Sequence, residues 1–162
     1  MFLLNLLLGL ILTCSAISSV DAVTGLCSNP WVDGTLTDMG CLLFDSTKSY
    51  NWELANAYCQ DKANGTLVEI LTEAQHDFVL MILEFLEDHE EPKTWWTSGT
   101  DLAREGKWYW GSSLAPVGQF IWAGTEPDSG ISANCMDLST SVNPMAEDTS
   151  CGNYKYPICQ RK

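Results

Sequence analysis

The sequence predicts an α+β fold organised around one core. Three observations lead there. The order of elements is short strands and turns, then two helices, then strands alternating with loops, a pattern of segregated helices and strands. Six cysteines remain once an N-terminal leader is set aside, as in disulfide-bridged exported domains. Five of the seven tryptophans lie between Trp95 and Trp122, in a stretch otherwise rich in Gly, Pro, Ser and Asp. Each such ring can remove about 150–250 Å² from water. The aromatics therefore anchor a long irregular loop, and long loops in small domains often carry function.

The chain of 162 residues opens on Phe2–Leu12, apolar except for Asn5 and Gly9. Mostly small residues follow to Ala22. This reads as a secretory signal peptide over 1–22, cut after Ala22 or a few residues earlier, with one domain over 23–162 and an extracellular, secreted product. No Lys or Arg precedes the apolar run. The run is short for a membrane span, and the best later candidate, Phe78–Leu86, is broken by Glu84. The leader takes Cys14 with it and leaves Cys27, Cys41, Cys59, Cys135, Cys151 and Cys159. No Cys-x-x-Cys pair is present, which argues against zinc.

Leu26–Phe44 reads as short strands and turns, with Asp33-Gly34 as a hairpin signal between Cys27 and Cys41. Tyr50–Lys62 reads as a helix whose Trp52, Ala55 and Cys59 share an inward face. Asn64-Gly65 ends it as a left-handed cap. Asn64-Gly65-Thr66 is also an N-glycosylation sequon, with Asn64 as acceptor. Thr66–Ile70 reads as a strand. Thr72 and Gln75 form a capping-box pattern for a second helix. Its expected core stripe is Phe78, Met81, Ile82, Phe85 and Leu86. An acidic run, Glu87, Asp88, Glu90 and Glu91, follows it, and Pro92 stops it. Thr94–Ser98 and Trp108–Trp110 read as strands, with Asp101–Gly106 turning between them.

Eight basic residues face 21 acidic ones, a net charge of −13. That balance argues against nucleic acid and against anionic membranes. It suits a cation or a basic partner. No Gly-x-Ser-x-Gly elbow occurs, and no histidine lies near the loop, so nothing marks a catalytic residue or an enzyme.

Several separated features occur in a meaningful order. They are Gly65-Thr66-Leu67-Val68 after the first helix, Trp96-Thr97-Ser98-Gly99-Thr100-Asp101, Glu105-Gly106-Lys107-Trp108-Tyr109-Trp110, Glu126-Pro127-Asp128, and a terminal Tyr156-Pro157-Ile158-Cys159. Together they resemble the C-type lectin-like domain over essentially the whole mature chain. The six cysteines fit its long form, and the Trp-x-x-Gly-Thr-Asp variant looks like secreted arthropod-type members. The resemblance implies two helices flanking small antiparallel sheets, a long irregular loop, and the bridges Cys27–Cys41, Cys59–Cys159 and Cys135–Cys151.

It also implies a site. Sugar-binding members hold Ca²⁺ in the long loop through Glu-Pro-Asn, a glutamate two residues before the fifth cysteine, and an Asn-Asp pair after a tryptophan. Ca²⁺ takes about six to eight oxygens, and two sugar hydroxyls complete its shell. In this sequence Glu126-Pro127-Asp128 stands for Glu-Pro-Asn, Ala146-Glu147-Asp148 for Trp-Asn-Asp, and Ala133 for the loop glutamate. Four carboxylates, Glu126, Asp128, Glu147 and Asp148, are thus the expected metal and carbohydrate ligands. Carboxylates strengthen the pull on a hard cation. Unlike asparagine, they cannot donate a hydrogen bond to a sugar hydroxyl. The expectation is a secreted lectin of the innate-recognition type that binds glycans or glycoproteins, Ca²⁺-assisted, with weakened or altered sugar binding. The alternative is a Ca²⁺-independent relative that binds a protein or an inorganic surface through the acidic loop.

Overall fold

Two adjacent tryptophans on one strand set the layout. The computed structural model describes residues 27–87, 93–139 and 145–162. The expected leader and most of the acidic run before Pro92 lie outside the described residues. The elements are β1 (Val32–Asp33), β2 (Cys41–Phe44), α1 (Trp52–Ala63), β3 (Thr66–Leu67), α2 (Glu73–Glu87), β4 (Thr94–Thr100), β5 (Tyr109–Trp110), β6 (Cys135–Ser139), β7 (Met145–Thr149) and β8 (Tyr156–Arg161). Among the described residues the strands form one sheet in the order β1-β2-β8-β4-β6-β7, with β3 beside β8 and β5 beside β4. β4 and β8 run parallel and the other pairs antiparallel.

Side chains alternate across a strand, so Trp95 and Trp96 enter different parts of the core. Trp95 joins Leu42, Val79, Leu83, Trp110 and Trp122. Trp96 joins Ala55, Leu67 and the buried cystines. Its indole N–H donates to the Tyr50 carbonyl at 2.8 Å, and the Trp52 indole donates to the Thr97 carbonyl at 2.8 Å. Gly99 is needed where β4 meets β6, because a Cβ there would lie 2.7 Å from the Met136 sulfur.

Three disulfides join Cys27–Cys41, Cys59–Cys159 and Cys135–Cys151, the pairs that the family resemblance implies. The second ties α1 to β8 across a sequence separation of 100. α1 starts at an Asn51 cap whose side chain accepts from the Leu54 N–H, and it ends on Asn64 in the left-handed region, φ 48°. The strand expected over Thr66–Ile70 is regular at Thr66 and Leu67, and the Val68 N–H adds a bond to the Ile158 carbonyl at 2.8 Å. Val68, Glu69 and Ile70 are buried beyond it.

α2 shows the clearest departure from expectation. The Gln75 N–H does meet the Thr72 hydroxyl, at 3.2 Å. The buried line, however, is His76, Val79 and Leu83, with Phe78, Ile82 and Leu86 partly covered. Met81 is 54% exposed and Phe85 65%. The segment Phe78–Leu86 is apolar on nearly every side, so its periodicity cannot select a face. Contact with the turns Thr35–Thr37 and Gln119–Ile121 selects it instead. The Gln75 amide donates to the Thr37 carbonyl at 2.9 Å, and His76 meets the Phe120 ring.

Candidate carboxylate site in the long loop

The loop that follows Trp122 is tied to the sheet before it reaches the acids. Trp122 bridges Ala146 on β7, and the Ala123 N–H donates to the Ala146 carbonyl at 3.0 Å. A turn closes with the Glu126 N–H on the Ala123 carbonyl at 2.7 Å. The Glu126–Pro127 peptide is cis. The Asp148 N–H then donates to a Glu126 carboxylate oxygen at 3.4 Å. The Ser129 N–H donates to both Asp148 oxygens, at 3.0 and 3.3 Å, and the Ser129 hydroxyl to Asp128 at 3.3 Å.

These links bring Glu126, Asp128 and Asp148 together. One carboxylate oxygen from each lies within 4.8 Å of the other two. Asp148 is buried, Glu126 half-buried and Asp128 exposed. Two unit charges at such a spacing repel by about 3–4 kcal/mol at an effective dielectric of about 20. Accordingly Glu126 is held above its ordinary value of 4.5, first by burial, then by a side-chain hydrogen bond with Asp148 and the charges of Asp128 and Asp148, against the Asp148 N–H, which lowers it. A cluster in this state gains from a cation or a proton. The donor set is all hard oxygen, which fits Ca²⁺.

Glu147, expected as a fourth ligand, does not join them. It is the outward, exposed residue of β7, between buried Ala146 and Asp148. The strand pairs regularly with β6, so alternation sends Glu147 to the face opposite Asp148. There it stands across from Asp137, a residue that motif reasoning missed. Asp137 is 1% exposed and is ion-paired with Lys155, whose ammonium also lies 5.4 Å from the centre of the Trp96 ring. Burial raises the Asp137 carboxyl, Lys155 opposes the rise, and Glu147 and Asp148 add to it. A lone acid between Met136 and Leu138 on a core strand is the sequence signal that could have found it.

Ala133, in place of the loop glutamate, is buried and offers no side-chain oxygen. Its neighbours turn inward to the loop. The Asn134 amide donates to the Ile131 carbonyl at 3.1 Å, and the Ser132 hydroxyl to the Ser129 carbonyl at 3.4 Å. Asn64 lies elsewhere, exposed at the end of α1.

A family model described as the lectin C-type domain matches residues 48–161. C-type lectin 37Da of Drosophila melanogaster is 31% identical over 128 residues, covering 73% of this chain and 66% of that protein. The type-2 ice-structuring protein of Hemitripterus americanus is 24% identical over 119 residues, 74% of this chain and 66% of its own. The structure of human lithostathine superposes with a TM-score of 0.71 at 25% identity, covering 84% of this chain and 99% of that one. Family match, disulfide framework and sheet topology agree: the chain belongs to the C-type lectin domain family.

Proposed function

We infer that this is a secreted glycan-binding C-type lectin in which Glu126, Asp128 and Asp148 hold Ca²⁺. The supporting observation is the approach of the three carboxylates to within 4.8 Å. A bound Ca²⁺ supplies coordination positions that sugar hydroxyls can fill. The residues themselves do the rest. Asp148 is oriented by the Ser129 N–H and Glu126 by the Asp148 N–H. All three side chains can accept hydrogen bonds from hydroxyl groups, and none can donate one when ionised. Each unmet donor costs about 1–3 kcal/mol, so simple sugars bind weakly or with altered preference. Export through the 1–22 leader, a sugar chain on Asn64, and recognition of microbial or host-surface glycans complete this reading. Binding, not catalysis, is the activity.

A second reading has its own support. Ala133 offers no ligand, Glu147 faces away, and one relative is named for structuring ice. On that reading the acidic loop meets a protein or an inorganic surface without Ca²⁺. Calorimetric titration with Ca²⁺, followed by glycan-array binding with and without EDTA, separates the two. Heat of binding and EDTA-reversible glycan capture support the first, and the absence of both leaves the second.

A further inference from the structure

A hollow that shares no residue with the carboxylate cluster lies on the outer face of α1. Its volume is about 430 Å³, within the usual range of about 300–1,000 Å³ for small-ligand clefts. Tyr50, Tyr58 and Tyr154 line it, together with Leu54. Tyr154 is 67% exposed and Leu54 51%, so neither is explained by core packing.

The aromatic floor is rigid. The Tyr50 and Tyr58 rings stack with centroids 5.1 Å apart and planes 28° from parallel. The Tyr50 N–H donates to the Lys155 carbonyl at 2.9 Å, and the Tyr50 carbonyl accepts from the Lys155 N–H at 3.0 Å. It also accepts from the Trp96 indole. The Tyr58 hydroxyl donates to Asp45. Preordered rings lose little freedom when a ligand arrives.

The rim is chemically mixed. The Lys48 ammonium can only donate, the Asp61 carboxylate can only accept, and the Tyr154 hydroxyl can do both, whereas the Tyr58 hydroxyl, already donating to Asp45, can still accept. This is what the carboxylate cluster lacks. We propose that the hollow is a calcium-independent saccharide site that takes a neutral pyranose ring against the exposed Tyr154 ring, beside the stacked Tyr50–Tyr58 pair. A pyranose presents polarised C–H groups to the negative face of an aromatic ring, and its hydroxyls need donors and acceptors at once. An apolar side chain would use none of the donors and acceptors that the rim offers. A cation would compete with the Lys48 ammonium, already 5.2 Å from the Tyr50 ring centre.

The test is saturation-transfer and chemical-shift NMR on the full oxidised protein in EDTA. The probes are methyl glycosides of glucose, galactose, mannose and N-acetylglucosamine, with choline as the cationic rival. Two variants change exposed positions that the fold does not need: Tyr154→Ala removes a wall, and Ala57→Arg fills the hollow. At least one glycoside should bind without calcium and shift the Tyr50 and Tyr154 ring signals, with affinity falling tenfold or more in both variants. The proposal is overturned if no glycoside binds in EDTA, if either variant binds within twofold of the wild type, or if choline alone responds. The calcium reading is untouched by any of these results.

Discussion

The scaffold around β8 and the loop over 123–134 are held in opposite ways. In the scaffold the side-chain hydrogen bonds reach far along the chain. Gln160 accepts from the Glu69 N–H and donates to the Met39 carbonyl, and Trp96 reaches Tyr50. In the loop, bonds that span three residues, Glu126 to Ala123, Ala133 to Gly130, Ser132 to Ser129 and Asn134 to Ile131, alternate with ties to the sheet at Ala123, Glu126, Ser129 and Asn134. Long-range bonds fail together with the fold, whereas local turns survive changes at their neighbours. The difference explains how one scaffold can carry an altered loop, with acids where amides are expected.

The largest effect should come from the scaffold. Replacing Cys59 and Cys159 by Ser removes a closure of 100 residues, which on the chain-entropy model is about 4–5 kcal/mol. Urea unfolding should show a loss of this order; a loss under 1 kcal/mol would mean that α1 and β8 hold together unaided. Trp96→Ala should cost about 3–5 kcal/mol by the same measurement, since the ring is fully buried. In the loop, Asp128→Ala should change stability by less than about 0.5 kcal/mol and weaken Ca²⁺ binding at least tenfold by calorimetry. If stability falls instead, the loop is part of the scaffold.

Restoring donors tests the chemistry of the loop. Asp128→Asn with Ala133→Glu should strengthen binding of methyl mannoside in Ca²⁺ by roughly 1–3 kcal/mol per regained hydrogen bond. No gain in the titration would place the deficit elsewhere. The smallest effects are in pH, and the two regions should differ in sign. Burial raises Asp45, but bonds from Thr47 and Tyr58 outweigh it and leave the carboxyl below its ordinary 3.8. Its contribution to stability is present above that value and is lost as pH falls through the lowered one. Glu126 is shifted up, so its contribution is present below 4.5 and is lost as pH rises through the raised value. Thermal unfolding in EDTA from pH 3 to 7 should show Asp45→Asn flattening the acid limb. Glu126→Gln should stabilise the protein near neutrality, and saturating Ca²⁺ should reverse that order.

Much of the scaffold was legible because its signals are local. Asn64-Gly65 marks the left-handed end of α1, Trp52, Ala55 and Cys59 mark its inner side, and Glu126-Pro127-Asp128 marks the loop. The failures fall where local pattern is degenerate. Phe78–Leu86 is apolar on nearly every side, broken only by Glu84, so Met81 and Phe85 could not be distinguished from Val79 and Leu83. Glu147 and Asp148 are neighbours in sequence, and only the pairing of β7 with β6 separates them.

The sequence by itself determined the family, the order of elements and the acidic character of the loop, because these depend on residue type and spacing along the chain. The tertiary structure alone decided which side of α2 is buried, which three carboxylates converge, the pairing of Asp137 with Lys155, and the gathering of Tyr50, Tyr58 and Tyr154 around one hollow. Each of these joins residues distant in sequence, or chooses between faces of equal polarity. Only the packing of one element against another makes that choice.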